Sequence, residues 1–264
     1  MPRLIDIGLN LTHESFAHDR DAVLARALAA GVDGMLVTGS DIPHSEAALQ
    51  LAQQHPARLR ATAGIHPHQA KDFSAEQLPA LKTLLAHPLV LAVGECGLDY
   101  FRNFSTHEQQ EQVFRQQLEL AIAVGKPVFL HERDAHEIFV GILNEYLPKL
   151  AGGVAHCFTG TVAQAQRYVE LDVYVGITGW ICDERRGESL REAVRHIPQD
   201  RLLIETDAPY LIPRDLKPKP KSHRNEPMHL PAVLSRLAQC RGESVEELAA
   251  ATTANARRLF GWPS

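Results

Sequence analysis

The sequence has few cysteines, and none of them form the closely spaced pairs that bind metals. Four cysteines occur among 264 residues, and no two are spaced as CxxC. This spacing gives no support to a structural zinc held by four cysteines, and a disulfide framework is equally disfavoured. Cys96 and Cys157 each follow a candidate site residue, and we expect both to be small apolar side chains beneath the site.

Long apolar runs and an excess of positive charge are also missing. No run approaches the roughly 18 apolar residues of a membrane helix, and the amino terminus shows no signal-peptide core. We therefore expect a cytoplasmic protein with no membrane partner. The net charge of −5 argues against a general nucleic-acid coat protein, but it permits an enzyme that meets nucleic acid at one local site.

What the sequence does contain is an eightfold alternation of strand-like and helix-like segments. Strands are predicted at 4–9, 34–38, 59–64, 89–95, 127–131, 153–156, 173–177 and 201–205. Helices are predicted at 19–30, 45–54, 76–86, 108–124, 135–146, 162–171, 189–197, 230–240 and 244–260, and a proline- and lysine-rich rim loop at 212–222. The pattern predicts an α/β fold, a TIM (β/α)8 barrel forming one domain over residues 1–264, with a doubly wound open sheet as the alternative.

Polar residues recur at or near the ends of these predicted strands. Glu95 ends an apolar run, where an unpaired buried carboxylate would be costly; alone it could be a turn or capping residue. Other polar residues lie on or just after predicted strands, at Asp6, Asn10, His66, His131, His156 and Asp207. Because the carboxyl ends of barrel strands share one mouth, we expect these side chains to converge on a functional site.

The chemistry of this set suits a divalent metal ion. Imidazole and carboxylate together bind Zn²⁺, Mn²⁺, iron or Mg²⁺-type ions. His131 and His156 would supply two neutral nitrogens and Glu95 a carboxylate. The ion would lower the pKa of a water molecule, and Asp207 would either bind the ion or accept the proton of that water.

Three residues, Glu205, His66 and His68, have two interpretations each. Glu205 precedes Asp207 by two positions, and we interpret it as a supporting residue or a residue of the mouth. His66 could contact the metal or an anionic substrate, whereas His68 could equally be a surface loop residue.

Five segments resemble motifs of the TatD-type metal-dependent deoxyribonucleases. They read Ala-Gly-Ile-His-Pro-His, Val-Gly-Glu-Cys-Gly-Leu-Asp, Pro-Val-Phe-Leu-His-Glu-Arg-Asp-Ala, His-Cys-Phe-Thr-Gly and Leu-Leu-Ile-Glu-Thr-Asp-Ala-Pro-Tyr-Leu. The resemblance extends from Asp6 to the final Asn-Ala-Arg-Arg-Leu-Phe-Gly. It implies a TIM-barrel hydrolase that cleaves DNA phosphodiesters with a divalent metal, as a 3′-to-5′ exonuclease that favours single strands and serves DNA repair and degradation.

The resemblance also implies roles for individual residues. Glu95, His131 and His156 correspond to metal ligands, and Asp207 is the acid of the Glu-Thr-Asp-Ala-Pro motif, predicted as a fourth ligand. Asp207, Glu95 and His66 are the predicted catalytic residues.

One departure from the family pattern concerns the first strand. Many relatives begin Asp-x-His-x-His, but Gly8 and Asn10 stand at the histidine positions here. We therefore expect one firmly held ion, Mg²⁺ with Zn²⁺ or Mn²⁺ as alternatives. A second, weaker ion would involve Asp6 and Asn10.

Loops after the predicted strands carry cationic and aromatic side chains that suit a nucleic acid. The residues predicted to bind substrate are Arg102, Arg133, Arg185, Tyr210 and Arg224. Cations would contact the backbone and aromatic rings would stack on bases, although a solvated loop position is the alternative for each. The expected partner is single-stranded DNA, with RNA as a further substrate, and the expected state is a monomer.

Two other functions remain open from the residues alone. A metal-dependent esterase or amidase, such as an aminoacyl-tRNA deacylase, would use nearly the same ligands, and a basic rim does not separate DNA from tRNA. Glu95 argues against the amidohydrolases whose fourth strand ends on a carboxylated lysine. A non-catalytic binding protein is the third reading, and the intact set of acids and histidines argues against it.

Overall fold

The computed structural model describes residues 3–262, which form eight β-strands and nine α-helices. The strands are β1 (Leu4–Leu9), β2 (Val32–Val37), β3 (Leu59–Ala63), β4 (Val90–Asp99), β5 (Val128–Arg133), β6 (Gly153–Ala155), β7 (Tyr174–Ile177) and β8 (Leu202–Ile204). The helices are α1 (Arg20–Ala29), α2 (Ile42–Gln54), α3 (Leu78–Leu85), α4 (His107–Val124), α5 (His136–Tyr146), α6 (Val162–Glu170), α7 (Glu188–Ala193), α8 (Leu230–Arg241) and α9 (Val245–Phe260).

The strands form one sheet whose order follows the sequence from β1 to β8. After the ends of β1 and β8, Leu9 bridges Ala208 in parallel, and the N–H of Asn10 donates to the carbonyl of Ala208 at 2.8 Å. A doubly wound sheet would reverse its strand order partway. Parallel strands in sequential order, with the first meeting the last, are those of a (β/α)8 barrel. The predicted TIM barrel is confirmed, and the open-sheet alternative is wrong.

Helix boundaries follow capping residues that the sequence contains. Thr106 accepts a hydrogen bond from the N–H of Gln109, whose side chain reaches back to the N–H of Thr106, forming a capping box at the start of α4. The same helix ends at Gly125, whose φ of +64° suits the left-handed conformation of a helix C-cap. These local signals are the reason that the predicted helix 108–124 agrees with the observed one.

The fourth strand differs from its prediction in a way that affects the site. It was expected to end on Glu95, but β4 continues to Asp99, and its register with β5 shifts between Val93 and Cys96. Glu95 therefore lies at an irregularity inside the strand, where a bulge can re-aim a side chain. The strand continues because Gly97 pairs with His131 of β5.

The described chain divides into two compact units. The first contains the chain up to Leu36 together with Cys157–Arg258, and the second contains Val37–His156 and Leu259–Trp262. Phe16 and Tyr168 are fully buried in the core of the first, and Phe114 stacks on Phe139 at 5.1 Å in the core of the second. The single domain over residues 1–264 remains a prediction, and its terminal positions 1–2 and 263–264 lie outside the described residues.

Among residues 3–262, every helix is too short or too polar to cross a membrane.

Candidate metal centre

Three histidines surround one carboxylate oxygen in the second unit. Oε1 of Glu95 lies 2.9 Å from Nδ1 of His131, 2.8 Å from Nε2 of His156 and 3.3 Å from Nε2 of His66. We call these four residues the histidine–glutamate cluster. One ligand atom each from His66, Glu95 and His131 lies within 4.8 Å of the others, so these residues could hold a metal ion.

Backbone contacts fix the positions of the cluster residues. The N–H of Glu95 donates to the carbonyl of Gly39 at 2.7 Å, and that of His156, just after β6, donates to Leu130 at 2.9 Å. Gly97 lies beside His131, and a Cβ at this glycine would lie 1.9 Å from the carbonyl oxygen of His131. A glycine with a φ of +147° is therefore required for β4 to approach the histidine this closely.

The histidines keep the buried carboxylate charged. Burial alone would raise the pKa of Glu95, but His156 and His66, with hydrogen bonds from His131 and His156, hold that pKa well below its usual range. Burial lowers the pKa of His66 to about 4, because its effect is larger than that of Glu95, whose charge acts to raise the pKa. His66 is therefore neutral at neutral pH, while Glu95 is ionised.

This donor set fits a divalent ion. Imidazole nitrogen and carboxylate oxygen are the ligand atoms that zinc and similar ions use in proteins. The three nitrogen atoms already point at one oxygen of an ionised, buried carboxylate, so little rearrangement is needed to place these donors around a cation.

A second carboxylate, Asp99 at the end of β4, supports the cluster. Its Oδ2 accepts a hydrogen bond from Nε2 of His68 at 2.7 Å and lies 3.4 Å from Nε2 of His131. Burial tends to raise the pKa of Asp99, but His131, His68 and the N–H of Arg102 hold it well below its usual range. The nearby carboxylates of Asp99 and Glu95 in turn raise the pKa of His131, although its burial acts in the opposite direction.

Asp99 was not among the predicted site residues, and a surface loop position was the alternative for His68. The side chain of His68 is 29% exposed and pairs with the buried Asp99. A fourth strand predicted to reach residue 99 would have identified this acid, because the side chains of residues 95, 97 and 99 share one face of a regular strand.

The predicted residues of the first and last strands meet each other in the first unit. Asp6 accepts hydrogen bonds from the N–H of Thr206 at 2.9 Å and from its hydroxyl at 2.6 Å. Burial raises the pKa of Asp6 to about 7, although these hydrogen bonds act to lower it. Nδ2 of Asn10 donates to Oδ1 of Asp207 at 2.9 Å. Asp6 thus fixes the backbone before Asp207, and Asn10 orients its carboxylate.

Glu205 and Cys96 occupy interior positions, whereas Cys157 does not. Glu205 is fully buried and accepts a hydrogen bond from the N–H of Cys157 at 2.5 Å. Cys96 is also fully buried, and burial raises the pKa of its thiol. Cys96 is therefore a core side chain, as expected, whereas Cys157 is only half-buried.

Four of the five predicted substrate residues are exposed at loops or strand ends. Arg133, at the end of β5, lies 3.9 Å above the ring of Phe101, and Arg102 lies 5.8 Å from the same ring. Arg185 is exposed in the loop before α7, and Tyr210 is 52% exposed beside His13 in the first unit. Their contacts with a substrate remain predictions.

Arg224 has a different environment, because its guanidinium is paired within the protein. It donates to both carboxylate oxygens of Asp19 at 2.8 Å and to Glu226 at 2.7 Å. Arg26 of α1 pairs with the same two acids. These contacts attach the segment before α8 to α1, and the predicted substrate contact of Arg224 would have to compete with them.

Known proteins resemble the chain over nearly its whole length. A family model described as TatD related DNase matches residues 5–261. The chain belongs to this family. The family resemblance seen in the motifs is thereby confirmed.

Individual TatD relatives agree with this assignment. The chain is 54% identical over 258 residues to the "3'-5' ssDNA/RNA exonuclease TatD" of Citrobacter rodentium, covering 98% of each protein. The protein of the same name from Erwinia amylovora is also 54% identical, covering 98% of this chain and 100% of the relative. The solved structure of YJJV, a TatD homolog from Escherichia coli K12, is 32% identical, with a TM-score of 0.91 and 99% of each chain covered. The expected likeness to TatD itself, and not only to the wider family, is confirmed.

Proposed function

We propose that this chain is a divalent-metal-dependent exonuclease that removes nucleotides from the 3′ ends of single-stranded DNA and RNA. The observation that carries the proposal is the 54% identity over 98% of the chain to exonucleases of that name. The histidine–glutamate cluster supports it, because it offers donors suited to a metal ion in a buried site. The sequence alternatives, an aminoacyl-ester hydrolase and a binding protein, have no such observation in their favour.

Glu95, His131 and His156 are the residues proposed to hold the ion. When bound there, a divalent ion such as Mg²⁺ polarises the phosphodiester and makes a water molecule more acidic. Glu95 contributes a charge that its histidine neighbours keep ionised, and the carboxylate of Asp99 lies 3.4 Å from Nε2 of His131. A carboxylate beside a metal-binding histidine helps to orient its ring.

His66 is proposed to act as a hydrogen-bond donor. The backbone N–H of His68 donates to Nδ1 of His66 at 3.1 Å, which leaves the proton of the neutral ring on Nε2. That proton can be donated to an anionic oxygen, although His66 also lies among the possible ligands by distance. We therefore assign His66 to donating a hydrogen bond to an oxygen of the scissile phosphate.

Asp207, the acid of the Glu-Thr-Asp-Ala-Pro motif, is proposed to take the proton of the attacking water, with metal binding as its alternative role. Asn10 holds the carboxylate of Asp207 through a 2.9 Å hydrogen bond. One firmly held ion, with Mg²⁺ preferred over Zn²⁺ and Mn²⁺, remains our expectation. The weaker second ion at Asp6 and Asn10, the monomeric state and the cytoplasmic location also remain predictions.

The test uses single-stranded DNA and RNA oligonucleotides labelled at the 5′ end, with Mg²⁺, Mn²⁺ or EDTA. We expect a ladder that shortens stepwise from the 3′ end and disappears in EDTA. Glu95→Gln should lower the rate by about 100-fold or more, whereas Glu145→Gln, which alters an exposed carboxylate, should leave it unchanged.

Two results would contradict the proposal. One is the absence of cleavage by folded, metal-loaded protein. The other is hydrolysis of aminoacyl esters without cleavage of either nucleic acid, which would favour the deacylase alternative.

A further inference from the structure

The loop between β4 and α4 exposes two phenylalanines. Phe101 and Phe104 are each 54% exposed, more than any other large apolar side chain among residues 3–262. Exposed aromatic rings this close together on a short loop are unfavourable in water unless they serve a contact. These rings therefore favour a binding partner that packs against aromatic faces.

Cationic side chains accompany these rings. The guanidinium of Arg133 lies 3.9 Å above the ring of Phe101, and that of Arg102 lies 5.8 Å from it. Aromatic faces beside guanidinium groups match a single-stranded nucleic acid, whose bases stack on the rings while its phosphates attract the cations. A purely apolar partner would provide no negative charge to pair with the guanidinium groups of Arg133 and Arg102.

The loop is held in place by hydrogen bonds to the strand beneath it. Oδ1 of Asp99 accepts the N–H groups of Phe101 at 3.0 Å and of Arg102 at 2.8 Å. The side chain of Gln110 in α4 donates to the carbonyls of Asp99 and Ser105, each at 3.0 Å. The aromatic rings are thus carried on a fixed backbone, so little order has to be gained when a base binds.

A row of ring contacts joins this loop to the histidine–glutamate cluster. The ring of Phe104 packs edge-on against His68 at 4.8 Å, and His68 packs edge-on against His66 at 4.2 Å. His66 in turn lies 3.3 Å from Glu95. Phe104 is therefore two ring contacts away from the histidine assigned to the scissile phosphate, so a nucleotide cleaved there would have its bases near this loop.

We propose that Phe101 and Phe104 form a stacking platform for the bases of single-stranded substrate next to the scissile phosphate, with Arg133 contacting the adjoining backbone. The proposal deepens the proposed function and rests on it. In a duplex the bases are already stacked on one another, so the platform favours unpaired ends. Stacking accepts every base, so the platform selects for strandedness and not for sequence.

The experiment compares two single-stranded oligonucleotides with the same backbone. One has normal bases, and the other has abasic units at its last three 3′ positions. We expect the wild type to show a KM about tenfold lower for the normal oligonucleotide, at similar kcat, because stacking on one ring contributes about a tenfold gain in affinity. In Phe101→Ala/Phe104→Ala this difference should disappear through a higher KM for the normal oligonucleotide.

Two further variants separate stacking from folding. Phe101→Leu/Phe104→Leu keeps the apolar bulk and should lose the discrimination as the alanine variant does. Leu28→Ala changes an exposed apolar side chain on α1 and should behave as the wild type. Circular dichroism and the thermal midpoint establish that each variant is folded.

Binding measured in EDTA distinguishes failure of the platform from failure of the nuclease proposal. Fluorescence anisotropy of the two labelled oligonucleotides, read without metal, should show the same preference for normal bases in the wild type and its loss in both phenylalanine variants. Equal KM and equal binding of normal and abasic strands by the wild type would overturn the platform, even if both are cleaved. Absence of cleavage with retained base-dependent binding would overturn the nuclease and leave the platform standing.

Discussion

The charge of Glu95 depends on the imidazoles around it. A buried carboxylate is strongly disfavoured unless it is paired, and here three nitrogens lie within 3.3 Å of one of its oxygens. Burial keeps His66 neutral, since it lowers the pKa of this histidine to about 4 despite the attraction of Glu95. The sequence could place these residue types near strand ends, but the nitrogen that each ring presents depends on backbone and side-chain contacts that only the fold supplies.

Asp99→Asn tests the support that Asp99 gives to the cluster. Loss of this negative charge beside Nε2 should lower the pKa of His131 and weaken metal binding by about 10- to 100-fold. Calorimetric titration with Mn²⁺ measures the affinity, and the histidine pKa is read by NMR in the metal-free protein. Asp72→Asn, at an exposed acid of the same unit, is the control, and equal affinities in the two variants would contradict the role of Asp99.

At the scale of elements, β4 carries more of the site than its sequence pattern indicated. The apolar run before Glu95 predicted a strand end, yet the strand continues through a register shift to Asp99. A bulge leaves no hydrophobic signal in a sequence, so neither the extension nor the pairing of Gly97 with His131 was predictable. Helix ends, in contrast, follow from capping residues that lie within a few positions of each other.

Two glycine substitutions test how closely β4 must approach β5. Gly97→Ala places a Cβ against the carbonyl of His131 at a φ of +147° and should lower the free energy of unfolding by about 2 kcal/mol or more. Gly141→Ala, inside α5 with open space around it, should raise that free energy by about 0.5–1 kcal/mol. Urea unfolding measures both, and equal stability of the two variants would contradict this account of β4.

Arg224→Gln tests whether this arginine holds the segment before α8 to α1. Burial tends to raise the pKa of Glu226, but Arg26 and Arg224 lower it below 4.5. An acid whose folded pKa is depressed adds stability above its unfolded pKa and loses it as pH falls through the folded value. We therefore expect the variant to be less stable than the wild type by about 1 kcal/mol at pH 7, with the difference shrinking below pH 4.5.

Urea unfolding at a series of pH values measures this difference. Lys221→Gln, at an exposed cation of the neighbouring loop, should show no such pH-dependent loss. A pH-independent difference for Arg224→Gln, or none, would contradict the ion-pair account.

At the scale of the whole molecule, the strand order was predictable and the long-range polar contacts were not. Eight alternating strand-like and helix-like segments over about 250 residues predicted a barrel, whose strands follow the order of the sequence, with a doubly wound sheet as the alternative. The pairing of Arg224 with Asp19 joins residues 205 positions apart, and the edge contact of Phe104 with His68 joins different loops. Exposed aromatic and charged residues have no periodicity that would reveal such partners.

The proposed exonuclease activity depends on a divalent ion bound at the histidine–glutamate cluster. Anomalous diffraction from crystals grown with Mn²⁺ tests it most directly. We predict a strong peak at about 2.0–2.3 Å from the carboxylate of Glu95 and from nitrogens of His131 and His156, absent in Glu95→Gln crystals grown in the same way. A strong peak elsewhere in the protein, with density for the three wild-type side chains but none for an ion between them, would contradict the account.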